Sequence, residues 1–208
     1  MDNHYNKVFL SFDPINPEFS SGCRIIDISP SHFSFHLSST YNNQSLKAQI
    51  HQLNNLAFKS LSISSNTLVI TDASIKNNVA ISILHIYVHN KSVIKTLHYT
   101  VNIISIEAES FAIRCSINQA TNYNNISKII VITDSIHTAR KIFNMTLYPF
   151  QKYIAAILNE LRVFFSCHQE NLIKFWECSS QCNWFLYKAV DLETKSFNPI
   201  LLFPRKLS

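Results

Sequence analysis

The chain has 208 residues, of which 47% are hydrophobic and 15% are charged, and its formal net charge is +5. This size suits one domain with an appendage or two small domains, and the apolar content is enough to form a buried core. The low charged fraction excludes a disordered acidic tail and a charge-rich coiled coil. The single glycine, Gly22, excludes the glycine-rich turns of Rossmann and P-loop proteins, so we expect no nucleotide cofactor.

The five cysteines are odd in number and irregularly spaced, which does not indicate a disulfide framework. The N-terminal sequence lacks the long apolar stretch of a secretion signal. We therefore expect reduced thiols and an intracellular location, in the cytoplasm or the nucleus. No apolar run approaches the ~20 residues that a membrane-spanning helix needs, so we expect no membrane partner.

Residues 1–62 differ in composition from the rest of the chain. They contain the only glycine and a polar stretch from Ser38 to Ser45. One segment, Leu46 to Phe58, is amphipathic, with apolar residues at helical spacing. We interpret 1–62 as a linker with one helix, 63–200 as a compact domain and 201–208 as a tail.

Within 63–200, short apolar runs alternate with amphipathic segments. The apolar runs predict five strands, which are Thr67–Thr71, Val79–His89, Ser92–Val101, Lys128–Thr133 and Asn171–Cys178. The amphipathic segments predict four helices, which are Ser105–Ala120, Asp134–Phe143, Phe150–Cys167 and Tyr187–Phe197. Asn90-Lys91 is the predicted hairpin connection between the second and third strands. This order predicts an α/β fold in which a mixed five-stranded sheet is flanked by helices.

A short internal repeat marks the candidate site. Val69-Ile-Thr-Asp72 recurs as Val131-Ile-Thr-Asp134, and we expect each strand to end in Thr-Asp before the chain changes direction. If the two strands are parallel neighbours, both aspartates project from the edge where ligands bind in α/β sheets. Two adjacent carboxylates repel each other unless a cation neutralises them. A cation site is one interpretation, and the alternative is that each aspartate caps the following element.

Glu109 lies in the predicted helix between the two repeated strands, on or beside its sheet-facing stripe. A carboxylate in such a position needs a partner or a metal ion. We favour a role as a metal ligand, with a salt bridge to Lys128 or to an arginine as the alternative.

The residues around these acids resemble the ribonuclease H fold. More specifically, the sequence resembles the ribonuclease H domain (type-1-like) that follows reverse transcriptase in fungal non-long-terminal-repeat, jockey-like retrotransposons. The likeness covers about residues 66–198. The matching stretches are Val69-Ile-Thr-Asp-Ala-Ser-Ile-Lys-Asn-Asn-Val-Ala80, Glu107-Ala-Glu-Ser-Phe-Ala-Ile-Arg-Cys115, Ile117-Asn-Gln-Ala120, Val131-Ile-Thr-Asp-Ser-Ile-His137 and Phe175-Trp-Glu-Cys178.

The resemblance implies a set of four catalytic carboxylates, which are Asp72, Glu109, Asp134 and Asp191. It implies that they bind two Mg²⁺ ions, with Mn²⁺ as a substitute, and that the RNA strand of an RNA–DNA hybrid is hydrolysed. Lys76, Ser74 and Ser135 are the residues then expected to contact the nucleic acid. We expect the protein to act as a monomer.

Two departures from the family pattern keep other functions open. Ala73 stands where most ribonucleases H have glycine, and the stretch from Glu177 to Cys182 lacks the histidine that helps product release in many of them. The alternative is therefore an inactive remnant of the same fold with at most weak nucleic-acid binding. A related exonuclease is a third possibility, against which the predicted β-hairpin before the first domain helix argues.

Overall fold

The computed structural model describes residues 32–36, 46–88, 92–101, 105–123, 125–143, 151–167 and 170–198. The predicted connection at Asn90-Lys91 and the predicted tail 201–208 lie outside these ranges. The strands are β1 (Phe33–His36), β2 (Asn66–Lys76), β3 (Val79–Val88), β4 (Ser92–Val101), β5 (Lys128–Thr133) and β6 (Leu172–Glu177). The helices are α1 (Leu46–Leu61), α2 (Ser105–Thr121), α3 (Ile136–Phe143), α4 (Gln151–Cys167) and α5 (Phe185–Ser196).

The strands form one mixed sheet in the order β1-β6-β5-β2-β3-β4. The first four in this order are parallel to one another, and β3 is antiparallel to both β2 and β4. The predicted fold class, an α/β fold with a mixed sheet flanked by helices, is confirmed. The predicted count of five strands was wrong, because β1 adds a sixth at the edge. Its four residues are too few to give a reliable alternating pattern in the sequence.

Each face of the sheet has its own apolar core. On one face, α2, α3 and α4 cover a cluster that includes Val69, Leu84 and Val131. On the other face, α1 and α5 cover a cluster built on Leu68 and Ile70. Burial of these two clusters is the main stabilising contribution to the fold. In the described ranges, no helix combines the length and the hydropathy that crossing a bilayer requires.

Helix α1, which falls within the predicted linker segment, packs into the second core. Leu53 is 1% exposed there, and the Trp184 indole nitrogen donates a hydrogen bond of 2.8 Å to Asn54 Oδ1. Helix α1 is therefore part of the same packed unit as the start of α5. The domain boundary after residue 62 stays a prediction.

Strand β2 extends beyond the point predicted from the sequence. The expected change of direction after Thr71-Asp72 was wrong, because β2 continues to Lys76 and pairs with β3 along its length. The chain reverses at Asn77-Asn78, where φ is 51° and 60°. Asparagine tolerates this left-handed conformation, which the tightest hairpin turns require at both central residues. Pairing of β2 with β5 stops at Ile70 and Ile132, so β2 outruns its parallel neighbour.

Candidate carboxylate site

The two repeated aspartates meet where β2 and β5 separate. The strands are parallel neighbours, with Ile70 level with Ile132. Asp72 and Asp134 each follow two residues after this last pair, Asp72 within β2 and Asp134 just after the end of β5. Because side chains alternate along a strand, Asp72 lies on the same face of the sheet as Ile70. That face is covered by α5, and Asp72 is only 7% exposed.

Glu109 approaches the two aspartates from α2, on the opposite face of the sheet. Burial, followed by repulsion from Asp134 and Asp72, raises the pKa of Glu109 to about 8. Within the described ranges, Glu109 forms no ion pair with Lys128 or with an arginine. The three acids therefore share one electrostatic environment, and the salt-bridge alternative for Glu109 has no support among these residues.

Both aspartates have pKa values above the ordinary value of an aspartate carboxyl group. Burial and then repulsion from Asp134 raise the pKa of Asp72 to about 6. Burial also raises the pKa of Asp134, although a hydrogen bond to Tyr187 opposes the effect. Three acids with raised pKa values near one another form a cluster that a positive charge would stabilise.

Tyr187, on α5, is a site residue that the sequence analysis missed. Its hydroxyl donates a hydrogen bond of 3.1 Å to Asp72 Oδ1, and it lies close enough to Asp134 to stabilise the charged form of that acid. Burial and the two aspartates raise the pKa of Tyr187, so the phenol stays protonated and can donate. A signal for this residue exists, because Tyr187 precedes Asp191 by four positions and therefore shares its helix face.

Asp191, the fourth predicted carboxylate, lies on α5 within electrostatic reach of Asp72 and Asp134 and raises the pKa of both. Its own oxygens are bound within the helix. Lys195 Nζ lies 2.5 Å from Oδ1 and Lys188 Nζ lies 3.1 Å from Oδ2. Burial opposes ionisation of Asp191, but these two lysines outweigh it and lower the pKa. Asp191 therefore lies beside the cluster, with lysine partners on both oxygens.

The three residues expected to contact nucleic acid are bonded within the protein. Ser74 Oγ donates to the Thr194 carbonyl oxygen at 3.2 Å, and Lys76 Nζ donates to the Lys195 and Phe197 carbonyl oxygens. These contacts join the end of β2 to the C-terminal end of α5. Ser135 Oγ donates to Thr138 Oγ1 at 2.8 Å in the first turn of α3. Their role in substrate binding stays a prediction.

The donor chemistry of the site fits a hard divalent cation, because all four acids present oxygen atoms, which Mg²⁺ prefers. Burial, and after it repulsion between the acids, raises the pKa values of Asp72 and Glu109, and a bound cation would relieve that repulsion. In the part of the chain that the structure describes, however, no three acidic, histidine or cysteine side chains already surround a point where a metal ion could bind. Metal binding would require the carboxylates to converge further.

No protein-family model matches the sequence, and no curated protein matches it. Similar solved structures include ribonucleases H and a foamy viral protease–reverse transcriptase. RNase H1 from the archaeon Halobacterium salinarum is 9% identical, with a TM-score of 0.46 over 61% of this chain and 92% of that one. The N-terminal RNase H domain of a Mycobacterium tuberculosis protein is 10% identical, with a TM-score of 0.46 over 63% of this chain and 94% of that one. An RNase H1 isolated from compost, solved with an RNA/DNA hybrid, is 13% identical, with a TM-score of 0.46 over 60% and 92%. At these values the likeness transfers no residue role to this chain.

Proposed function

We propose that this chain is a ribonuclease H-like hydrolase that cuts the RNA strand of an RNA–DNA hybrid with the help of divalent cations. The observation that carries the proposal is the electrostatic proximity of Asp72, Asp134 and Glu109 at the sheet edge where β2 and β5 separate. When these buried acids ionise they repel one another, which destabilises the fold. A bound cation would remove this repulsion and stabilise the charged carboxylates.

Asp72, Glu109, Asp134 and, once released from its lysines, Asp191 are the residues that would hold Mg²⁺ or Mn²⁺. Two such ions would supply an activated water and stabilise the leaving 3′ oxygen of the cleaved strand. Tyr187 fixes the orientation of Asp72 through its hydrogen bond. The bonds from Ser74 and Lys76 to the end of α5 hold that helix against β2. Asp191 and Tyr187 are thereby kept beside the two strand aspartates.

The choice of substrate follows from the resemblance of residues 66–198 to retrotransposon ribonuclease H domains. We propose the same origin for this chain, a fungal jockey-like element, and an intracellular site of action where such hybrids form. The 2′-hydroxyl groups would distinguish the RNA strand from DNA.

An inactive remnant of the same fold is the second candidate, and one observation favours it. Both carboxylate oxygens of Asp191 are paired with lysines of its own helix. If these pairs persist in the presence of cations, the fourth ligand is lost. The remaining three acids would then bind cations weakly and support little hydrolysis.

Cleavage of a labelled RNA–DNA hybrid under a Mg²⁺ and Mn²⁺ titration tests the proposal. Asp134→Asn should abolish cleavage. Glu107→Gln, which removes an acid two residues before Glu109 on the same helix, should preserve it. Failure of the folded wild-type protein to cut at any cation concentration would establish the inactive remnant. Cleavage that survives Asp134→Asn would show that the carboxylate site is not responsible.

A further inference from the structure

A second polar surface lies on the sheet away from the carboxylates. On the face covered by α1 and α5, the strands β5, β6 and β1 carry a group of half-buried polar side chains. The register places Ser34 level with Lys174 and His36 level with Trp176. Lys128, at the start of β5, lies on the same face because residues directly paired in parallel strands point the same way. The group comprises Lys128, Lys174, Ser34, His36 and Trp176, and we call it the β5–β6–β1 surface.

The two lysines of this surface are not paired with an acid in the described stretches of the chain. Neither Lys128 nor Lys174 forms an ion pair among the described residues. Burial and repulsion from Lys174 lower the pKa of Lys128, and burial and the same lysine lower the pKa of His36. The two ammonium groups on neighbouring strands therefore repel each other, and an anion bound between them would relieve this repulsion.

The remaining polar groups of the surface are buried. Ser34 Oγ, His36 Nε2 and Trp176 Nε1 have no hydrogen-bond partner in the part of the chain that the structure describes. The His36 and Trp176 rings stack at a centroid distance of 4.3 Å, which fixes their edges side by side. These buried atoms are not open to a ligand, so the surface offers the positive charge of Lys128 and Lys174, and the group contains no carboxylate.

The arrangement of these groups is a row, not a pocket. From Lys128 to Lys174 and from Lys174 to His36, the row advances two residues along the strands and crosses to the next strand. Each step is about 8 Å long, given strand spacings of about 4.8 Å and a rise of about 3.3 Å per residue. The row ends level with Ile132, two residues before Asp134, whereas α1 and α5 pack mainly on β2 and β3.

We propose that the β5–β6–β1 surface binds the phosphate backbone of a nucleic-acid strand and leads it toward the carboxylate edge. An extended polyanion fits two separated ammonium groups better than a single small anion does, because successive phosphates can meet Lys128 and Lys174 in turn. The identity of the strand, one strand of an RNA–DNA hybrid, rests on the proposed function. The binding itself does not require hydrolysis.

Binding of a labelled RNA–DNA hybrid, measured by fluorescence anisotropy in EDTA over a range of salt concentrations, tests this proposal without cleavage. Lys128→Ala with Lys174→Ala should weaken binding and reduce the slope of log affinity against log salt by about 1.4–1.8, which corresponds to two phosphate contacts. The control is Lys47→Ala with Lys59→Ala, which removes the same charge from exposed positions on α1. This control should keep the wild-type slope.

Trp176 supplies a second readout. Its emission should change when the hybrid binds, and the change should disappear in Trp176→Phe, because the other tryptophan, Trp184, is fully buried and bonded to Asn54. An equal loss of slope in both lysine pairs would reduce the effect to net charge and overturn the proposal. A wild-type slope in the Lys128 and Lys174 variant would also overturn it. Loss of binding in that variant, together with absence of cleavage by the wild type, would leave the surface supported and the proposed hydrolysis refuted.

Discussion

The Tyr187 hydroxyl donates a hydrogen bond of 3.1 Å to Asp72 Oδ1, joining α5 to β2 at the carboxylate site. Both residues are buried, with exposed fractions of 2% and 7%. Burial of a phenol beside a carboxylate is stabilising only while the phenol stays protonated and donates a hydrogen bond. This bond therefore sets which oxygen of Asp72 remains available to a cation.

Tyr187→Phe should reduce the free energy of unfolding by about 1.5–3 kcal/mol at pH 8, where Asp72 is charged, because a hydrogen bond to an ionised group is lost. The loss should be smaller at pH 5, where Asp72 is largely protonated. Urea denaturation at the two pH values measures both. Tyr123→Phe, a change at a half-buried tyrosine outside the site, is the control and should show no such dependence on pH.

Glu109→Gln should make the protein more stable at pH 8 and flatten its pH profile. The pKa of Glu109 is raised from 4.5 to about 8, so the folded state holds a proton that the unfolded state releases. Its stabilising contribution is complete below about pH 4.5 and is lost as the pH rises through about 8. Denaturant titrations from pH 5 to 8.5 in EDTA check this result. A wild-type slope in the variant would show that Glu109 is not the titrating group.

Lys195→Met should tighten Mn²⁺ binding about two- to fivefold. Lys195 pairs with Asp191 Oδ1 at 2.5 Å, and a cation must replace it before Asp191 can act as a ligand. The lysine side chain is 65% exposed, so the pair is weak and its removal has a small effect, about 0.4–1 kcal/mol. Isothermal titration calorimetry with Mn²⁺ measures the change, with Lys59→Met on α1 as the control. Unchanged affinity would exclude Asp191 from the ligand set.

Leu53→Ala should destabilise the fold by about 2–5 kcal/mol, because Leu53 of α1 is 1% exposed in the core shared with α5. The matched change Leu46→Ala, at a position of the same helix that is 43% exposed, should alter stability by no more than about 0.5 kcal/mol. Thermal denaturation of both variants decides the question. Equal small effects would mean that α1 does not contribute to the stability of the domain.

The sequence predicts the regular elements well where an apolar pattern is long or continuous. The predicted strands at Ser92–Val101 and Lys128–Thr133 have the bounds seen in the structure. The prediction fails at β1, where four residues carry no distinct period, and at Asp72, where a polar side chain interrupts the apolar pattern without ending the strand. The Asn77-Asn78 dipeptide is a hairpin signal that identifies the true turn.

Some residues of the candidate site can be identified from the sequence, whereas other contacts of the site cannot. Asp72 and Asp134 are found from the sequence because the repeat Val-Ile-Thr-Asp reflects equivalent positions in neighbouring strands. The lysine partners of Asp191 lie three and four residues away along one helix, so spacing alone could have indicated them. The bond from Tyr187 to Asp72 could not be predicted, because it joins residues 115 positions apart that only the packing of α5 on β2 brings together.

The bonds between the end of β2 and the last turn of α5 determine what can move at the site. Ser74 and Lys76 donate hydrogen bonds to three backbone carbonyl oxygens. These belong to Thr194 and Lys195 in α5 and to Phe197 just after it. Sliding or tilting of α5 would break all of them together, whereas rotation of the Lys195 side chain breaks none. Adjustment to an incoming ion is therefore a matter of side-chain rotamers on a fixed frame, and should occur on the nanosecond scale of exposed side chains, without domain motion.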